Sequence, residues 1–149
     1  MDKIVFITGA SSGIGAGCAR KFASQGASLI LNARNVNKLS ALKEELEKQY
    51  GAKIYLLPFD VRDRKAATSA LESLPKEWQS IDLLVNNAGL VIGTDKEQEG
   101  SLDEWDIVID TNIKALLAMT RLIVPGMVER KRGHIINIGS IAGDAAYPG

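Results

Sequence analysis

Thr8-Gly9-Ala10-Ser11-Ser12-Gly13-Ile14-Gly15, entered from the apolar run Ile4 to Ile7, decides how the chain folds. The run ahead of it is short and β-branched and reads as a buried strand. Beyond it, Ile14, Cys18 and Phe22 recur at the spacing of an amphipathic helix. A glycine-rich turn that opens directly into a helix leaves backbone N–H groups free at a positive dipole end, which favours a pyrophosphate. The spacing is Gly-x-x-x-Gly-x-Gly rather than the Gly-x-Gly-x-x-Gly of ordinary dinucleotide folds. A tight strand-to-helix turn with no ligand is the alternative reading.

Further along, Ser28 to Leu31, Lys53 to Leu57, Ile81 to Val85 and His134 to Ile138 are strand-like. Between them lie two helical patterns, Leu39, Leu42, Leu46, Tyr50 and then Ala66, Ala67, Ala70, Leu71, Leu74. A long segment from Leu102 to Arg130, with Trp105, Ile109, Leu116 and Leu117, predicts one or two more helices, kinked or ended early by Pro125. Strand-helix alternation requires crossovers, hence parallel strands with helices on both faces. The expected fold is a doubly wound α/β sheet of five strands. Residues 1–149 have room for one domain. The chain leaves the fifth strand as an unpaired edge, so it is expected to be the amino-terminal part of a longer single-domain protein.

Bulk properties narrow the partners. Eighteen basic residues balance eighteen acidic ones, which disfavours nucleic acid and anionic lipid. Cys18 is the lone cysteine, and the apolar run near the start spans four residues. A cytoplasmic protein without membrane association is expected.

The polar residues that follow the strands are concentrated where a parallel sheet collects its carboxyl ends. After the second strand comes Asn32-Ala33-Arg34-Asn35, where a carboxylate would hold the ribose hydroxyls of NAD. The guanidinium of Arg34 suits a 2′-phosphate by charge and bidentate geometry, which points to NADP with NAD the less suited. The alternative is an exposed arginine ahead of a helix. Asp60-Val61 follows the third strand, and its carboxylate either faces the adenine amino group or caps a helix. Asn86-Asn87-Ala88-Gly89 ends the fourth, where a plain turn also favours Asn and Gly. Ser140 follows the fifth, and Asn112 lies in the long helical segment.

Taken together these residues resemble the short-chain dehydrogenase/reductase family over essentially the whole chain. Thr8 to Gly15 is similar to its TGxxxGxG turn, and Asn86 to Gly89 to its NNAG element. The resemblance implies a Rossmann-like sheet of order 3-2-1-4-5. It also implies a cofactor site of Thr8, Gly9, Ser11, Ser12, Gly13, Ile14, Gly15, Arg34, Asn35, Asp60, Val61, Asn87, Ala88 and Gly89, with Thr8 and the Asn86 segment bracing each other. NADP-preferring members often carry a second basic residue where Asn35 stands. Of the family's Asn-Ser-Tyr-Lys set, Asn112 and Ser140 supply the first two: the serine hydrogen-bonds the substrate oxygen and the asparagine keeps a water in the proton relay. The Tyr-x-x-x-Lys element should begin about thirteen residues after Ser140, beyond Gly149. Tyr147 is no substitute, since Pro148 follows it and no lysine can stand four residues on. These 149 residues alone are therefore expected to be inactive.

Leu74-Pro75, Trp78, Pro125 to Arg130 and His134 to Ser140 further resemble a branch of NADP-dependent enzymes oxidising serine, L-allo-threonine and related 3-hydroxy acids. The implied activity is hydride transfer between nicotinamide and a small-molecule alcohol or ketone, in a homotetramer with the helix from about Leu102 to Met127 in a subunit contact. Two competing readings are a non-catalytic nucleotide-binding module ending near Gly149 and a Rossmann-like methyltransferase. Arg34 and the Asn86 to Gly89 element argue against the latter.

Overall fold

Alternating side chains on short strands give each strand two apolar faces, and both faces of this sheet are covered. The computed structural model describes residues 3–93 and 95–144. Strands β1 (Ile4–Ile7), β2 (Ser28–Leu31), β3 (Ile54–Leu56), β4 (Ile81–Asn86) and β5 (His134–Asn137) form one sheet. Every pairing is parallel and the order is β3-β2-β1-β4-β5. Backbone bonds continue the ladder past the strand ends, from Leu57 N–H to Leu31 C=O and from Ile138 N–H to Asn86 C=O.

Val5, Ile7, Leu29, Leu31 and Val85 point to one side, beneath helices α1 (Gly13–Ser24) and α2 (Val36–Tyr50). Phe6, Ile30 and Leu84 point to the other, beneath α3 (Arg64–Glu72) and the carboxyl-terminal helix described below. This layering is the expected doubly wound arrangement.

Two helical expectations need correction. In α1 the buried stripe is Gly15, Ala16, Ala19 and Ala23, whereas Ile14 is 62% exposed and Cys18 and Phe22 are only partly covered. Small side chains let the helix backbone approach the sheet, so the stripe rotates away from the bulkier residues. In the long segment, α4 (Leu102–Ile109) runs through a π-helical turn, Asp110–Ala115, into α5 (Leu116–Glu129). Pro125 neither ends nor shortens α5, which continues to Glu129. The side chains that α5 and the π turn bury are Thr111, Ala115, Met119, Ile123 and Met127, a face turned away from Leu117. Trp105, Ile109, Ile113, Leu117 and Val128 are left as an exposed apolar stripe.

The amino rim of the sheet is locked electrostatically. Asp82, 5% exposed, accepts the Ile4 N–H at 3.0 Å and pairs with Arg132 at 2.7 Å, while Arg130 donates to the Ile81 carbonyl at 2.7 Å. The carboxyl rim is therefore the open one.

Leu29 is fully buried in the middle of β2, between β1 and β3. Leu29→Ala should cost about 3 kcal/mol of stability through lost transfer energy and a residual cavity. Chemical denaturation measures this, and a loss under about 1 kcal/mol would mean that the sheet centre is not close-packed.

A candidate cofactor cleft at the carboxyl rim

The loops after β1 and β4 are held together by one threonine and one asparagine. Thr8, 2% exposed, donates its hydroxyl to the Val85 carbonyl at 3.3 Å and accepts the N–H groups of Asn87 and Ala88, each at 3.0 Å. The Asn87 amide donates in return to the carbonyls of Thr8 at 3.0 Å and Gly9 at 3.1 Å. Gly9 has φ +64°, and a Cβ there would stand 2.9 Å from both the Ala88 Cα and the Asn87 Nδ2. No side chain fits so close an approach. Gly15 packs against the Gly9 carbonyl in the same way.

Thr8 and Gly15 accordingly lie beneath the site rather than on its wall. The wall of a cleft of about 1380 Å³ includes Gly9, Ser11, Ser12, Gly13 and Ile14 from the first loop. Arg34 and Asn35 join from the second, Asp60 and Val61 from the third, Asn87, Ala88 and Gly89 from the fourth, and Asn112 and Ser140 complete it. Sequence positions more than a hundred residues apart thus share one crevice.

The start of α1 differs from those of α2, α3 and α4. Asn35, Asp63 and Ser101 each place a side-chain oxygen on the first-turn amides of α2, α3 and α4, whereas Ser12 makes no such bond to α1. Gly13, at φ +52°, has nothing within 4 Å of where a Cβ would project. An uncapped helix end with open space before it presents unsatisfied N–H donors to an anion. This donor set fits a phosphate.

The charged part of the wall is more developed than the sequence suggested. Asp60 caps no helix, that part falling to Asp63. Its carboxylate instead accepts Arg62 Nη2 at 2.7 Å, Nε at 3.1 Å and the Arg62 backbone N–H at 3.0 Å. These bonds hold the Asp60 carboxyl below its ordinary range, with Arg34 contributing from 3.9 Å. Asn35 accepts the Lys38 N–H at 2.9 Å as the cap of α2, so its side chain is engaged within the chain. The additional cations on the wall are Lys38 and Arg62. Lys38 could have been found from its place one helical turn after Arg34, and Arg62 from its place two residues after Asp60. Neither position matches the family motifs.

The remaining polar residues form two small networks. Asn112 sits in the π-helical turn, accepting the Leu90 N–H at 2.9 Å and donating to the Leu90 carbonyl at 2.7 Å. Both ends of its amide are thereby used in fixing the loop after β4, beside Gly89. Asn86 donates to Thr120 Oγ1 and Asn137 Oδ1, both at 2.9 Å, which ties β4 to α5 and β5. Ser140 is exposed, with its hydroxyl accepting the Ala142 N–H at 3.2 Å in a short 3₁₀ turn. Tyr147 lies outside the described residues.

Comparison with known proteins agrees with this geometry. The family model for short chain dehydrogenases matches residues 3–149. The NADP-dependent 3-hydroxy acid dehydrogenase YdfG of Escherichia coli K12 is 48% identical over 146 residues, covering 98% of this chain and 57% of the relative. Sulfoacetaldehyde reductase 2 of Chromohalobacter salexigens is 43% identical over 150 residues, covering all of this chain and 59% of the relative. The crystal structure of serine dehydrogenase from Escherichia coli superposes with a TM-score of 0.92 at 48% identity, over 98% of this chain and 66% of that one. A closed form of serine dehydrogenase complexed with NADP+ gives 0.90 at 46% identity, over 98% of this chain and 57% of that one. The chain thus spans little more than half the length of the curated relatives it matches. The glycine turn, the Thr8–Asn87 brace, the sheet order and the match over residues 3–149 place this chain in the short-chain dehydrogenase family.

Proposed function

We propose that this chain is the dinucleotide-binding part of an NADP-dependent oxidoreductase. It would act on the hydroxyl or carbonyl group of a small molecule, a 3-hydroxy acid such as serine or allo-threonine being the favoured class. The observation that supports this most is the uncapped start of α1 on the same rim as Arg34, so that donors for a pyrophosphate and a guanidinium for a 2′-phosphate line one cleft. The substrate class is favoured by the names of the relatives, a 3-hydroxy acid dehydrogenase and a serine dehydrogenase.

In this reading the amides of Ser11 to Ile14 and the open space at Gly13 receive the pyrophosphate. Arg34, with Lys38 nearby, meets the phosphate on the ribose, and Asp60 and Val61 border the adenine. Asn87, Ala88 and Gly89 bound the pocket on the β4 side. The bound nicotinamide supplies or accepts the hydride. Hydride transfer to a carbonyl leaves an oxyanion that must be held and protonated, and the Ser140 hydroxyl, exposed on the rim, is suited to hold it. Asn112 fixes the loop that closes the cleft above Gly89. The exposed stripe of Trp105, Ile109, Ile113, Leu117 and Val128 is the surface suited to the homotetramer contact, since apolar patches of this kind mark interaction sites. A single domain running through residues 1–149, a longer complete chain and a cytoplasmic location belong to the same proposal.

Arg34→Asp should lower the preference for NADP over NAD by about ten- to a hundredfold, because it removes a charge-assisted phosphate contact and restores a ribose acceptor. Cofactor dissociation constants measure this, and an unchanged ratio would reject Arg34 as the phosphate ligand. In the complete enzyme, Ser140→Ala should lower kcat by about a hundredfold or more while cofactor affinity stays near its starting value. Equal loss of both in a titration paired with steady-state kinetics would make the serine a structural residue.

A further inference from the structure

Two arginines and a lysine share the adenine end of the cleft with one carboxylate, and they share it unequally. Asp60 is held by Arg62 through Nε, Nη2 and the backbone N–H, all within 3.1 Å. Arg34 stands off at 3.9 Å with 66% of its side chain exposed, against 31% for Arg62. Lys38 takes part in no ion pair among the described residues.

We propose that Arg62 is a positioning residue for recognition of the ribose 2′-phosphate: by occupying the Asp60 carboxylate, it leaves the Arg34 guanidinium free to meet that phosphate. The inference rests on the NADP reading above and deepens it. A carboxylate offers a limited set of lone-pair directions, and a forked arginine contact with an added backbone donor uses most of them. The pair is also local in sequence, so little chain entropy opposes it. Asp110, on the π-helical turn, adds a smaller attraction to Arg62, while its own carboxylate pairs with Lys114 at 2.7 Å.

Without Arg62 the balance changes twice over. Arg34 needs to move only about 1 Å to reach ordinary hydrogen-bond distance from Asp60, and would then be withdrawn from the phosphate. A carboxylate that has lost its nearest cation would also face an incoming phosphate with like charge. Arg62 is the less available phosphate ligand of the two arginines, because two of its three guanidinium nitrogens, Nε and Nη2, bind Asp60.

The test is a set of binding titrations with NADPH and NADH on the full-length protein, read by fluorescence or calorimetry rather than by turnover. Arg62→Ala should weaken NADPH by about tenfold and leave NADH within about twofold. Arg62→Lys, which keeps a charge beside Asp60, should stay within about threefold of the starting protein for both. Adding Asp60→Asn to Arg62→Ala should return the NADPH to NADH affinity ratio to within about threefold of its starting value, since the amide has no charge with which to hold Arg34 and any change at the adenine falls on both dinucleotides alike. An unchanged NADPH to NADH ratio in Arg62→Ala, or no recovery in the double variant, would overturn the inference. Arg34→Ala separates the two levels. If it leaves NADPH binding untouched, the NADP reading itself fails; if it abolishes the preference while Arg62→Ala does not, only the part assigned to Arg62 fails.

Discussion

The hydroxyl of Thr8 is the point from which the cleft is built. It satisfies the amides of Asn87 and Ala88 while donating to Val85, and the Asn87 amide answers by binding two carbonyls of the first loop. Each of these groups is buried or half-buried, so leaving one unsatisfied would cost about 1–3 kcal/mol. The brace therefore fixes how closely the two loops approach, and that approach leaves no volume for side chains at Gly9 and Gly15. Parallel pairing carries the remaining loops to the same rim without further contrivance.

Division of labour between the two rims follows. At the amino rim the charges are spent inside the protein, with Asp82 taken by Arg132 and the Ile4 amide. At the carboxyl rim donors remain uncommitted, namely the first amides of α1 and most of the Arg34 guanidinium. Helix caps make the contrast visible, since α2, α3 and α4 satisfy their own first turns from within. A helix end left open beside an exposed arginine is the physical basis for proposing a phosphorylated dinucleotide there.

Strand positions and most of the cleft wall could be read from the sequence because each depends on local pattern, β-branched runs with glycine, asparagine or arginine following them, whereas the sheet order came from the family resemblance. What could not be read depends on packing and on pairing across the fold. The face of α1 that turns inward is set by how near its alanines let the backbone come, so Ile14 stands outside the buried stripe and lines the cleft. Pro125 was read as a breaker, yet α5 absorbs it. The π turn around Asn112 has no sequence signature of its own. Asn35 lines the cleft while its side chain caps α2, and Lys38 and Arg62, though near Arg34 and Asp60 in sequence, match no family motif and were not read as cleft cations.

Amide hydrogen exchange, mapped with and without each dinucleotide, tests the central proposition most directly. Slowed exchange is predicted in the Gly9 to Gly15 turn, at Asp60 and Val61 and at Asn87 to Gly89 with either NADPH or NADH, together with slowing at Arg34 to Lys38 that only NADPH produces. Exchange in the glycine turn that ignores both dinucleotides, or protection that gathers instead around Asp82 and Arg132 on the opposite rim, would contradict it.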